Sequence, residues 1–205
     1  RALSDNPETV ILLGKAIIEG LESAGISAVI KHIPGHGRAE VDSHERLPKI
    51  DKGETDLLSR DFRPFVQLNN AVAAMTGHLL FPRIDPIYPV TFSKKIVKDV
   101  IRNLIGFKGV LISDDLSMNA LTGAIDYRLN KALEAGCDIA LHCNGDLEEM
   151  ELIAKACPSM SNPVRERIEI LLKNITRVSE NRKIFDTELL KVALNKGLKE
   201  YSNLI

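Results

Sequence analysis

The sequence predicts an α/β fold in which helices cover a parallel sheet. Three observations lead there. Short apolar runs alternate with helix-like segments four times along the chain. Those runs, Val110-Leu111-Ile112 the clearest, lack the apolar/polar alternation of a strand with one wet face. Glycine, proline or capping residues punctuate them. Four such units fit half of a β/α barrel or a small doubly wound sheet. There is no Gly-rich phosphate loop of the dinucleotide or P-loop type, which disfavours a nucleotide-binding sheet.

The elements follow in order. Residues 7–24 read as a helix, with Pro7 at its first position and Val10, Ile11, Leu12, Ile17, Ile18 and Leu21 as its apolar positions; Gly25 ends it. Residues 26–33 read as a strand closed by Pro34-Gly35. A polar stretch from Gly35 to about Gly53 is long for a compact domain, a length usually tied to function or disorder. Residues 57–70 read as helix, broken before Pro64, and residues 71–80 contain a strand. Ser93 caps a helix over 94–105 that Gly106 stops. Residues 109–114 form the best strand, 126–135 a helix ended by Gly136, and 138–143 a short strand. Asp146 caps the next helix, and residues 163–182 and 187–199 read as two more.

Composition narrows the partners. The 205 residues carry 27 Lys plus Arg against 28 Asp plus Glu, without a long block of one sign. Neither nucleic acid nor an anionic membrane is indicated, and no apolar run reaches bilayer length. Cys137, Cys143 and Cys157 fit no disulfide framework or zinc spacing. They read as reduced thiols, which together with the lack of an export signal predicts a cytoplasmic location. The chain opens on Arg1 rather than Met.

The informative feature is where the strands end. They close on Lys31-His32, near His78, on Ser113-Asp114-Asp115 and on His142-Cys143-Asn144. Polar groups at the C-terminal ends of successive parallel strands converge on one rim, where β/α barrels build their sites. Taken singly, His78 and His142 read as structural histidines. Lys31 and Asp114 are harder to dismiss, because each follows a buried-type apolar run in which an unpaired charge is costly. Together the set reads as a site.

Within residues 31–44, KHIPGHGRAEVDSH, Pro34, Gly35 and Gly37 turn the chain sharply, and Asp42 and His44 lie two apart. A carboxylate beside a histidine fixes its tautomer and raises its basicity, which suits a group that donates and later accepts a proton. His32, His36, Asp42 and His44 are also possible metal ligands, but they straddle a turn and match no zinc spacing, so no metal is expected.

KHIPGHG, DSH and GVLISDDLSM, in that order and spacing, resemble bacterial β-N-acetylglucosaminidases of glycoside hydrolase family 3. The resemblance runs from Arg1 to at least Asn144; Ile33 stands where the family usually has Phe. It implies a β/α (TIM) barrel of which this chain is the second half. It also implies removal of terminal β-linked N-acetylglucosamine, often from peptidoglycan fragments (muropeptides) in cell-wall recycling, without a cofactor. It makes Asp114 the nucleophile, His44 the acid/base group and Asp42 its partner. Lys31, His32 and Arg1 would bind the sugar, and Asp115 would be structural.

The expected mechanism is double displacement with retention. Two alternatives stand beside it. One is a phosphorylase on the same scaffold, in which phosphate replaces water. The other is an inactive fragment: a complete barrel has eight strands and about 250 residues. Half a barrel exposes two sheet edges and should self-associate, pair with a first half or unfold.

Overall fold

A computed structural model describes residues 3–180. Arg1 and the expected helix at 187–199 lie outside the described residues. Four parallel strands form one sheet in the order β1 (Val29–Ile33), β2 (Ala73–Thr76), β3 (Val110–Asp115), β4 (Ile139–Leu141). Every neighbouring pair is consecutive in sequence, and helical segments fill each crossover. This is the progression of a β/α barrel, in which each new strand adds to the same side of the last.

Helix α1 (Pro7–Ser23) starts as the sequence predicts: Pro7 opens it, and the Asn6 side chain accepts the Glu8 amide at 2.9 Å. Strand β1 begins at Val29 rather than residue 26. The second helical region starts earlier than predicted, in α2 (Glu54–Asp56). It widens to a π-turn over Leu57–Asp61 and resumes as α3 (Arg63–Gln67), with Pro64 in its first turn. The predicted break before Pro64 is therefore a change of winding within one path.

Residues 94–105 also differ. Ser93 accepts the Ile96 amide at 3.0 Å as a capping residue does, yet Ile96–Leu104 winds as a π-helix. Ile96, Val97, Val100 and Ile101 are its buried positions, so one apolar stripe still meets the sheet. Helix α4 (Ile125–Ala135) ends at Gly136, whose φ of +113° favours glycine. Helix α5 (Leu147–Ala156) starts on Asp146, which accepts two amides, and α6 (Asn162–Glu180) follows.

The core lies between one face of the sheet and the helices. Ile30, Ala74 and Leu111 enter it from the strands, and Phe62, Phe81, Ile96, Ile101, Phe107 and Leu129 enter it from the surrounding segments. Gly109 lets β3 begin close to β2, because a Cβ there would lie 2.5 Å from the Val72 carbonyl oxygen.

The register sets the opposite face. Lys31 pairs with Met75, Met75 with Ile112, and Ile112 with Ile139. Strand alternation puts Asp114 on this face and Asp115 on the helix side. Val29 of edge strand β1 is exposed, as are Leu12 and Ile17 of α1 and Leu147, Met150 and Leu152 of α5. All three residues of the other edge strand, β4, are only half-buried.

Helix α6 closes the N-terminal ends of the strands. Its half-buried residues Val164, Arg167, Ile168, Leu171 and Asn174 recur at helical spacing. Arg167 reaches Asp138, just before β4, at 2.6 Å, and Asn174 accepts Ser27 Oγ, just before β1, at 2.8 Å. Asp138 is almost wholly buried and also accepts Arg102 and the Leu111 amide, each at 2.9 Å. This ionic knot ties α6, β3, β4 and the π-helix together away from the rim.

Candidate active site

At the C-terminal rim, β1 and β3 bring two predicted groups together. His32 Nε2 lies 3.6 Å from Asp114 Oδ2, with the carboxylate side chain 14% exposed. Asp114 Oδ1 accepts the Asp115 amide at 2.9 Å, which restrains its rotamer. Lys31 is exposed on the same face of the sheet, two register positions below Asp114. Its ammonium is thus not buried in the helix-side core, and the cost of a charge after Ala28-Val29-Ile30 does not arise.

Asp115 is occupied elsewhere. Its carboxylate accepts Ser117 Oγ at 2.6 Å, the Ser117 amide at 3.0 Å and the Cys143 amide at 3.0 Å. Burial pushes this carboxyl up, but the bonds from Ser117 and Cys143 outweigh burial and hold it below the usual range. A carboxylate so committed stitches β3 to β4.

The loop after β1 is long but anchored. The Arg38 guanidinium donates to both oxygens of Asp56 at 2.7 and 2.9 Å, and its Nε lies 3.0 Å from Asp61 Oδ2. Residues 48–50 add backbone hydrogen bonds of 2.9 Å to Leu80. Gly35, at φ +146°, passes so close to Asp61 that a Cβ would lie 2.7 Å from its carbonyl oxygen. The tip is held as well: the Asn119 amide, in the loop after β3, donates to the His44 carbonyl at 3.4 Å. The loops carrying His44 and following Asp114 therefore meet over one end of the sheet.

His44 and Asp42 form a tight pair. Asp42 Oδ1 accepts the His44 backbone N–H at 2.9 Å and lies 2.7 Å from Nδ1. First the backbone hydrogen bond and then the ring hydrogen bond hold the Asp42 carboxyl below its usual range. An ionised Asp42 requires Nδ1 to be the donor, which leaves Nε2 as the atom that gains or loses a proton. The His44 ring is 65% exposed, so a proton at Nε2 is accessible from outside the fold. The His36 ring centroid lies 5.4 Å from that of His32.

Two strand-end histidines take other positions. His142 is paired through Nε2 with Glu149 of α5 at 2.7 Å. His78 is buried, with Nδ1 2.8 Å from Thr91 Oγ1 and Nε2 2.9 Å from the Asp115 carbonyl oxygen. Sequence reasoning passes over Thr76, Thr91, Arg38 and Asp61. Hydroxyls and a surface-type ion pair carry no motif, and only the fold reveals their contacts with the rim. Among the described residues, no three His, Cys, Asp or Glu side chains are grouped to hold a metal ion, and no helix is long and apolar enough to cross a membrane.

A parallel sheet progressing in one direction, with an aspartate and a His/Asp pair on its C-terminal rim, has the arrangement of a β/α-barrel site. The sequence pattern of the Glycosyl hydrolase family 3 N terminal domain matches residues 1–178, and the chain belongs to that family. It is 38% identical over 176 residues to a beta-hexosaminidase of Aromatoleum aromaticum, covering 83% of this chain and 49% of the relative. It is 39% identical over 173 residues to a beta-hexosaminidase of Chromobacterium violaceum, covering 82% and 48%. Among solved structures, it superposes on NagZ of Neisseria gonorrhoeae in complex with N-trifluoroacetyl-D-glucosamine. The TM-score is 0.72 at 35% identity, over 84% of this chain and 52% of that one. A family 3 β-N-acetylglucosaminidase from Paenibacillus gives a TM-score of 0.75 at 28% identity, over 87% and 36%. The chain spans about half the length of the curated relatives it matches.

Proposed function

We propose that this chain carries the catalytic half of a retaining β-N-acetylglucosaminidase that releases terminal non-reducing β-linked N-acetylglucosamine. One observation carries the reading: Asp114, beside His32 and on the face of Lys31, shares a rim with His44, whose tautomer Asp42 fixes. The relatives named above supply the substrate class. Asp114 Oδ attacks the anomeric carbon as the bond to the leaving oxygen breaks and His44 delivers its Nε2 proton to that oxygen. A glycosyl ester forms. His44 then takes a proton from water, which attacks the anomeric carbon and frees Asp114. Lys31 and His32 bind sugar hydroxyls, as does Arg1, and no cofactor takes part.

The natural substrate in this reading is a muropeptide or related glycan in cytoplasmic cell-wall recycling. Edge strands β1 and β4 are where the other half of the barrel joins. The test is turnover of an aryl N-acetyl-β-glucosaminide by the chain, alone and with the remaining barrel strands restored. The first product should have retained β configuration by NMR, and added phosphate should not divert it to a sugar phosphate. Inverted product, a sugar phosphate, or no turnover in either form would overturn the reading.

A further inference from the structure

The machinery described so far leaves one buried polar cluster unused. Thr76 at the end of β2, Thr91 in the turn Val90–Phe92, and His78 are all fully buried, and all lie behind Asp114. Their hydrogen bonds form a closed circuit. The Asp114 amide donates to Thr76 Oγ1 at 3.3 Å; Thr76 Oγ1 lies 3.0 Å from Thr91 Oγ1; Thr91 Oγ1 lies 2.8 Å from His78 Nδ1; His78 Nε2 lies 2.9 Å from the Asp115 carbonyl. The circuit leaves the backbone at the nitrogen of Asp114 and returns to it at the carbonyl of the next residue.

Elementary chemistry fixes its direction. A carbonyl oxygen only accepts, so His78 Nε2 carries a proton. Burial lowers the His78 pKa from its ordinary value, which favours the neutral ring with Nδ1 as an acceptor. Thr91 must then donate to Nδ1, which obliges Thr76 to donate to Thr91. Thr76 Oγ1 is left as an acceptor for the Asp114 amide. The Gly77 carbonyl, 3.5 Å from Thr91 Oγ1, is a longer second acceptor off the circuit, and loss of either threonine hydroxyl leaves a buried polar atom short of a partner.

We propose that Thr76, Thr91 and His78 are positioning residues for Asp114, a hydrogen-bonded brace that sets the 114–115 peptides and thereby aims the carboxylate. The proposal rests on the reading of Asp114 as nucleophile. The brace touches neither sugar nor leaving group. Its loss therefore disturbs the reacting geometry more than ground-state binding.

Thr91→Val keeps the volume and removes only the hydroxyl; Thr91→Ser keeps the hydroxyl. On an aryl N-acetyl-β-glucosaminide, Thr91→Val should lower kcat roughly 10- to 100-fold with KM changed less than about two-fold, and Thr91→Ser should restore kcat. Thr76→Val should give the same split. Two measurements stand apart from turnover. Imidazole 15N shifts should show His78 protonated at Nε2 and unprotonated at Nδ1, and exchange of the Asp114 amide should quicken about ten-fold in Thr91→Val. Wild-type kcat in both valine variants, no rescue by serine, or a proton on Nδ1 overturns the brace. If the wild-type chain turns over nothing, the glycosidase reading fails by itself, and the NMR results still decide whether the brace exists. If Thr91→Val does not fold, Thr76→Val and the wild-type tautomer give the answer.

Discussion

His32 Nε2 stands 3.6 Å from Asp114 Oδ2, across the gap between β1 and β3 and at the edge of the face that Lys31 shares. An imidazole there can bond a sugar hydroxyl and steady the carboxylate. His32→Ala is expected to lower kcat/KM by roughly 10- to 100-fold, with a rise in KM carrying part of the loss. Steady-state kinetics that leave KM untouched would place His32 outside the sugar pocket.

Asp114 and Asp115 should behave oppositely when each is made an asparagine. Asp114→Asn is expected to remove turnover by on the order of 10⁴-fold while leaving thermal stability near wild type. Asp115→Asn loses charge-assisted bonds to Ser117 and Cys143. It is expected to cost about 1–3 kcal/mol in urea unfolding with a smaller effect on chemistry. Reversal of these two patterns would move the nucleophile to Asp115.

The His44–Asp42 pair predicts a dependence on leaving group. His44→Ala should lose roughly 10²- to 10⁴-fold with an alkyl glycoside, whose oxygen needs a proton. With a dinitrophenyl glycoside, whose oxygen needs little help, the loss should shrink towards none in the first step. Asp42→Asn should give an intermediate version of the same pattern. A Brønsted plot that keeps its wild-type slope in His44→Ala would rule out the acid role.

The base of the loop after β1 carries a pH signature. Asp61 is nearly buried, and its Oδ2 accepts no aligned hydrogen bond although Arg38 Nε is 3.0 Å away. Burial raises its pKa in spite of Arg38. A raised folded-state pKa means that the folded chain holds this proton at pH values where the unfolded chain has released it. Stability therefore falls as pH rises from the ordinary carboxyl range, near about 4, through the raised value. Asp61→Asn should remove that slope. Arg38→Ala should cost about 1–3 kcal/mol at neutral pH, and the cost should shrink in acid. Urea midpoints measured across pH test both.

How much of this was legible in the sequence differs from element to element. The β3 run and the Asp146 cap, each strong and local, come out as read. The barrel class emerges from the order of elements, and the comparisons with known glycosidases bear it out. The windings over 57–61 and 96–104 were not legible, because apolar spacing alone does not separate an α-turn from a π-turn when tertiary packing holds the stripe. Asp114 was distinguishable from Asp115 only as far as strand alternation allows. The choice of face needed the register with Met75. His78 showed as a strand-end histidine, but its partners Thr76 and Thr91 could not, since a buried hydroxyl looks like any other threonine until its neighbours are placed.

The knot at the opposite end makes a separate prediction. Asp138 is 1% exposed and holds two guanidinium groups. Asp138→Ala should strand both Arg102 and Arg167 and cost about 3–5 kcal/mol, the usual penalty for breaking a buried ion pair. Thermal unfolding measures it. A shift within the scatter of surface substitutions would show that the pairing is dispensable.

Helix α6 has a mechanical meaning beyond its packing. Residues 167 and 174 are two turns apart, about 10 Å of rise, yet they grip the starts of the two outermost strands. Four strands laid flat would set those starts about 14 Å apart. The helix thus acts as a tie shorter than the flat spacing, drawing the outer strands together across the floor of a curved sheet. It grips the strands at the end opposite the rim groups.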